Sequence, residues 1–543
     1  MTNDVKHPGL SHHDHFAFIS TVARSLWDEP TVPQPQVRII ATFNLASMSL
    51  TRANIKSGYK ATMLILDFPK EVQSEIFTFA HRDNSNDETL LLPVEVILSH
   101  VCSEWRNIAI NLPFLWTAFK FETRRRASPW AVAKLQEYLV RSKKQLLELY
   151  FDMWARDLQG TNQCFKLVEI AIAHACRWRR FTLFNDLKGS PTGVTGSLRR
   201  LSGLRQLNAP NLEYFAMCLA SEIALGDDED VSPSVLIEGA PKLSVIRIDT
   251  TSHFHSMPPL SNITTLTIQE SPWVPEYLYS FHTFRSILMI PTLTNLSIES
   301  SLIPHTRVWG NPATLPRIVM PSLKTLRITQ EDNTLVILQL LDATLLETLV
   351  LHDLDLTSLY IGQDMNKITP FKKLDTLAIL DCRYDPRGEE VESVNFNPLD
   401  SVGNILCELA CCAKHVILSS PNAPSLIERG LNLFNLEKHK WPRLQCITLD
   451  LSTFSGLMFC LKNFEHSPHS LTVRVVEPVL EHWREVQLDS LMILEKVCKL
   501  EAMKAGDLMM DEYWPAPGGI FHEDGNLDIR WGESIRARGP VEE

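Results

Sequence analysis

Pro321-Ser322-Leu323-Lys324-Thr325-Leu326-Arg327-Ile328 is the stretch on which the fold turns. Leu323, Leu326 and Ile328 follow the spacing Leu/Ile-x-x-Leu/Ile-x-Ile/Leu, and the last two alternate with Thr325 and Arg327 as the two faces of a strand do. The pattern recurs at Leu243-Ile246-Ile248, Ile263-Leu266-Ile268, Leu293-Leu296-Ile298, Leu346-Leu349-Leu351, Leu374-Leu377-Ile379 and Leu444-Ile447-Leu449. A weaker copy stands at Leu212-Phe215-Met217 and a degenerate one at Val416-Leu418; proline often precedes, as Pro210, Pro241, Pro291, Pro321 and Pro442. Copies lie 20 to about 31 residues apart, except between 374 and 444. Such self-similarity predicts a stacked repeat, because the apolar face of one short strand cannot be buried without neighbours. An ordinary α/β domain with Leu-rich strands is the competing reading, and seven copies in one register weigh against it.

Upstream, residues 68–116 carry a different period. Pro69 suits the first turn of a helix, where its missing N–H costs nothing. Val72, Ile76, Phe79 and Ala80 then share one face of a 3.6-residue period, and a second helix is expected to align Ile97, Val101, Trp105, Ile108 and Ala109. Two amphipathic helices of this length need a partner surface or an adjoining domain to bury their apolar faces. Packing inside a larger helical region is the bland alternative.

The whole chain sets the class. At 543 residues it exceeds one ordinary domain, and 45% hydrophobic content is that of a folded protein. Lys+Arg 52 against Asp+Glu 64 gives a net charge of −12, so no basic field attracts nucleic acid or anionic lipid. Eleven cysteines in apolar surroundings, such as Cys407, Cys411, Cys412 and Cys460, read as reduced, buried thiols of a cytoplasmic or nuclear protein. The first residues lack the apolar core of a secretory signal, and no apolar run approaches the ~20 residues of a membrane helix.

The ordered residues of 68–116 add a resemblance. Phe68-Pro69-Lys70-Glu71-Val72-Gln73-Ser74-Glu75-Ile76-Phe77, then Val101-Cys102-Ser103-Glu104-Trp105-Arg106-Asn107-Ile108-Ala109, then Leu112-Pro113-Phe114-Leu115-Trp116 resemble an F-box of the kind expanded in fungi. A polar insert, His81 to Thr89, departs from the compact form. The resemblance implies docking onto a Skp-family adaptor, and through it a cullin, by Phe68, Pro69, Val72, Ile76, Phe77, Val101 and Trp105. The repeats resemble irregular leucine-rich repeats, without their Asn/Cys ladder position. Leu139-Val140-Arg141-Ser142 and Arg177-Trp178-Arg179-Arg180-Phe181 resemble the linker and first repeats of fungal F-box-like proteins, extending the likeness from about residue 61 to about 475.

The expected fold is therefore α+β with a repeat: a small helical F-box followed by an irregular leucine-rich-repeat α/β solenoid. Residues 1–60 form an N-terminal segment (Phe16 to Trp27 able to form a short helix), 61–125 the F-box-like domain, 126–475 a linker helix from Trp130 and the repeats, and 476–543 a helical cap and tail. The helix-like stretch of the cap runs from Val479 to Lys504. With Leu326 and Ile328 inward, alternation predicts an exposed face of Arg247, Asp249, Thr265, Thr267, Asn295, Glu299, Thr325, Arg327, Thr329, His352, Thr376, Thr448 and Asp450. Its small polar residues and sparse charge suit an unidentified protein target better than a phosphate backbone.

The chain has no Gly-rich phosphate loop, Gly-x-Ser-x-Gly elbow or His-Glu-x-x-His helix. His12, His13 and His15 with Asp14 read as a chance polar cluster, the pair His253/His255 and the acidic run Gly226 to Asp230 lack ligand spacing, and Cys407, Cys411 and Cys412 fit a buried helix better than a zinc site. The expectation is no enzyme, no cofactor and no metal, but the substrate-recognition subunit of a ubiquitin ligase. A repeat-based interaction scaffold outside any ligase is the alternative.

Overall fold

The computed structural model describes residues 68–84, 93–122, 130–154, 158–186, 201–219, 231–251, 256–270, 279–299, 309, 314–331, 333–355, 370–382, 405–419, 441–450, 471–486 and 488–503. The expected short helix at Phe16 to Trp27 and the histidine groups at 12–15 and 253–255 lie outside these residues.

Each repeat is built from a turn and a strand. The Leu323 N–H donates to the Met320 carbonyl, closing a four-residue turn in which Pro321 holds the second position. The same bond joins Leu212 to Ala209, Leu243 to Ala240, Leu293 to Ile290 and Leu444 to Trp441, again with proline second. Proline there presets φ near the value the turn requires. Ile263, Leu346 and Leu374 close the turn without proline. The degenerate copy at Val416-Leu418 has the same turn, Ala413 to Ala410, with Ala413 in place of the leading leucine.

The turns feed a 14-stranded sheet ordered strictly along the chain. Its strands are β1 (Ala118–Glu122), β2 (Leu147–Trp154), β3 (Trp178–Asp186), β4 (Tyr214–Leu219), β5 (Val245–Asp249), β6 (Thr265–Gln269) and β7 (Asn295–Glu299). They continue as β8 (Thr325–Thr329), β9 (Thr348–His352), β10 (Thr376–Leu380), β11 (His415–Ser419), β12 (Cys446–Asp450), β13 (Thr472–Val476) and β14 (Lys499–Met503). Every pairing from β2 to β14 is parallel, and the repeat leucines face one another: Ile246 opposite Leu266, Leu296 opposite Leu326, Leu349 opposite Leu377. All seven copies are strands, with the weak copy in β4 and the degenerate one in β11. The architecture is thus an α/β stack with a solenoid-like repeat.

The inner face is a continuous core in which Ile246, Leu266, Leu296, Leu326, Leu349 and Leu377 are fully buried. At its start the row is aromatic: Phe151 packs on Phe181 at 5.9 Å and Phe181 stacks on Phe215 at 6.0 Å. Backbone bonds tie coil to coil, since the Thr294 carbonyl accepts from both Lys324 and Thr325, and the Lys324 carbonyl from Glu347 and Thr348. Side chains add a ladder at the third turn position. Asn262 Nδ2 donates to Pro241 O (3.1 Å), Thr292 Oγ1 to Ile263 O (2.7 Å) and Ser322 Oγ to Pro291 O (2.7 Å).

The helices correct three expectations. The first, α1 (Lys70–Asn84), runs through His81 and into the expected polar insert. The expected second helix is two, α2 (Val94–Val101) and α3 (Ser103–Asn111). They break at Cys102, whose extended backbone ends one helix while its Sγ accepts from Trp105 N–H to cap the next. The linker helix α4 (Ala131–Arg141) leads into β2 as expected, and α5 (Leu158–Ile172), α6 (Phe281–Leu288) and α7 (Thr334–Leu340) return between strands. The stretch from Val479 is α8 (Glu477–Val486) and α9 (Leu488–Val497) followed by strand β14, so it extends the sheet. The chain divides into two compact units, residues 1–119 with 134–145, and 120–133 with 146–543. Among the described residues no helix is long and apolar enough to cross a membrane.

Candidate functional site

In the helical unit, α1 buries Gln73, Phe77 and His81, a face one residue out of phase with the expected Val72/Ile76/Phe79/Ala80 face. Phe77 sets its ring edge-on to Trp105 at 4.9 Å, and both are buried. The residues after Cys102 each acquire a local task. Arg106 Nε donates back to the Ser99 carbonyl (2.9 Å), Ile108 and Ala109 are buried, and Trp116 Nε1 donates to Ala109 O (2.8 Å).

A polar cluster lies inside this packing. Glu95 accepts from the Tyr138 hydroxyl of α4, and His81 Nδ1 stands 3.4 Å from its other oxygen. Burial, reinforced by the Glu95 carboxylate, pushes the Tyr138 phenol well above its usual range. Burial draws the Lys134 ammonium down, against the pull of Glu95. Arg141 lies over the Trp116 ring at 4.3 Å, which adds a cation–π contact to the hold on α4.

What this leaves outward is apolar. Val72 is 40% and Phe79 37% exposed, with Ile76 half-buried between them. Phe68 and Val101 are half-buried and Pro69 is exposed. Of the seven residues expected at the adaptor interface, Phe77 and Trp105 are corrected: they form the unit's own core, because the helix turns that side inward.

On the sheet, the expected exposed face is largely closed. Arg247 is 5% and Asp249 0% exposed, and Thr265, Thr267, Glu299, Arg327, Thr329, Thr376 and Thr448 are also buried. Alternation was read correctly, but alternation assigns a face and not its access to water. Parallel sheets are commonly covered on both faces, and here long side chains lie flat along the sheet. Arg247 of β5 reaches over β6 to β7, donating to Gln269 Oε1 (3.1 and 3.0 Å) and to Glu299 Oε2 (3.0 Å). Gln269 Nε2 meets Cys218 Sγ at 3.1 Å, and Ser297 Oγ meets Glu299 Oε1 at 3.3 Å. Burial, with the Asp249 carboxylate, pushes the Cys218 thiol well up. Further along, the same face turns apolar, with Val350, Ala378, Leu380 and Ile417 in one buried cluster.

Asn295 and His352 remain half-exposed; Asn295 donates to Thr265 Oγ1 (3.1 Å), and His352 Nε2 lies 3.8 Å from Asp381. The side chain of Asp450 lies outside the described residues. Access opens at the last strands, where Arg474 of β13 and Lys499 of β14 are exposed and both pair with Glu501, at 3.1 and 2.6 Å. These residues were not singled out in the sequence because their strands break the leucine pattern.

No protein-family model and no curated protein matches this chain.

Proposed function

We propose that the chain is the substrate-recognition subunit of a Skp–cullin-type ubiquitin ligase, with an F-box-like helical unit that docks the adaptor and leucine-rich-repeat-like coils that hold a protein target. The observation that carries this reading is the outward apolar line Val72, Ile76 and Phe79 on a unit whose core is already filled by Phe77, Trp105 and Trp116. An exposed line of this kind on a small helical unit suits a helix-in-groove partner. The chain's own contribution is proximity, holding a target beside a ubiquitin-charged enzyme. Target capture falls to the accessible residues Asn295 and His352 and to the open end around Arg474 and Lys499.

Co-expression with a Skp-family adaptor tests the proposal. Val72→Glu with Phe79→Glu places two charges on surface positions and leaves Phe77 and Trp105 untouched. Burying these side chains contributes about 1.5–3 kcal/mol each when complete, so at their present exposure the double variant should lose roughly 10- to 50-fold in adaptor affinity. Equal co-purification of wild type and variant would defeat the adaptor assignment.

A further inference from the structure

We infer that Cys411 and Cys412 form a dithiol site for monosubstituted trivalent arsenicals, a site independent of the proposed ligase role. The pair occupies the two central positions of the turn closed by Ala413 N–H to Ala410 O (2.9 Å), the turn that opens the β11 repeat. Across the other eight copies none of the sixteen residues at these positions is buried and twelve are exposed, among them Pro241-Lys242, Ser261-Asn262, Lys372-Lys373 and Pro442-Arg443. The position therefore faces water by construction of the repeat, and core packing does not account for two thiols there. Against the expectation of a buried helix, both cysteines lie in the turn after it and are half-exposed, and their Sγ atoms lie 3.9 Å apart.

That separation selects the ligand. A disulfide needs sulfurs about 2.05 Å apart and Cα atoms usually at least ~4.4 Å apart. Adjacent residues across a trans peptide hold their Cα atoms only ~3.8 Å apart, so a direct bond would be strained and readily reduced. A single bridging atom fits better. With sulfur bonds of about 2.3 Å, a bent bridge separates its sulfurs by roughly 3.3–3.8 Å and a linear one by roughly 4.6 Å. Zinc would require four ligands, and among the described residues no group of three or more His, Cys, Asp or Glu is placed to hold a metal ion. An arsenical with one carbon substituent needs two thiols and no more.

The capture balances without any redox change. The two S–H bonds and two As–O bonds of R–As(OH)2 are replaced by two S–As bonds, and each hydroxyl leaves with a thiol proton as water. Burial and the neighbouring Cys412 push the Cys411 thiol up, which suits a condensation drawing on protonated thiols better than peroxide attack by a thiolate.

The experiment treats reduced full-length protein with phenylarsine oxide, strips single-thiol adducts with excess glutathione, and reads intact mass. One phenylarsenic group per chain should survive glutathione and leave on addition of dithiothreitol. Cys411→Ser and Cys412→Ser should each reduce retention at least tenfold with the thermal midpoint unchanged. Proteolysis of the wild-type adduct should place the group on the peptide carrying both residues, which tests the site even if a variant folds poorly. No glutathione-resistant adduct on wild type, retention in the double serine variant, or an adduct mapped to other cysteines would each overturn the inference.

Discussion

Glu299→Ala is the sharpest test of the closed sheet face. Glu299 takes Arg247 Nη2 at 3.0 Å, and Arg247, which also donates to Gln269, is 5% exposed. Removing the carboxylate takes the anionic acceptor from a guanidinium where water has little access. Breaking a buried pair in this way costs about 3–5 kcal/mol, against about 0–1 kcal/mol for a surface pair. The lower end, about 3 kcal/mol, suits a glutamate with slight residual exposure. Hydrogen exchange of the β5–β7 peptides reads the change locally, and 3 kcal/mol corresponds to roughly a 150-fold rise in opening. Replacing both charges, Arg247→Met with Glu299→Leu, should recover part of the loss, because neither buried charge is left without its counter-ion, while Gln269 Oε1 and Ser297 Oγ each lose a bond. Exchange in Glu299→Ala within about twofold of wild type would be the surface-pair result, and the face would then be open as the alternation alone suggested.

Phe77→Ala should lower the stability of the helical unit by about 3–5 kcal/mol, measured by urea unfolding followed at Trp105. Tyr138→Phe should cost about 1.5–3 kcal/mol, because the buried Glu95 carboxylate loses its hydroxyl donor. Tyr138 also predicts a pH effect. Its folded pKa is raised, so its contribution is complete below the unfolded value near 10 and is lost as pH climbs toward the folded value. The thermal midpoint of the helical unit should therefore fall above about pH 10, and less so in Tyr138→Phe. Pro321→Ala should destabilise by about 0.4–1 kcal/mol through the freedom regained by the unfolded turn, read as a shift in denaturation midpoint.

The spacing of Leu323, Leu326 and Ile328 and its copies determined the repeat, the strand positions and the inner row. Period-two alternation and the need for neighbours are local facts, and β5 to β12 keep the register they predict. Proline before the pattern likewise announced the turn. Ala413 left one copy degenerate in the sequence, since a small buried residue takes the leucine's place and blurs its signature. In the helical unit, periodicity pointed to the Val72, Ile76, Phe79 and Ala80 face of α1, and the packing of Phe77 on Trp105 instead buries the neighbouring phase and turns Val72 and Phe79 outward. The Cys102 break, the Glu95–Tyr138 bond and the reach of Arg247 across two strands join residues 22 to 52 positions apart or depend on one backbone angle. Periodicity reports which side of an element a residue occupies. Whether that side meets water depends on what the rest of the chain lays over it, and only the tertiary structure decided that.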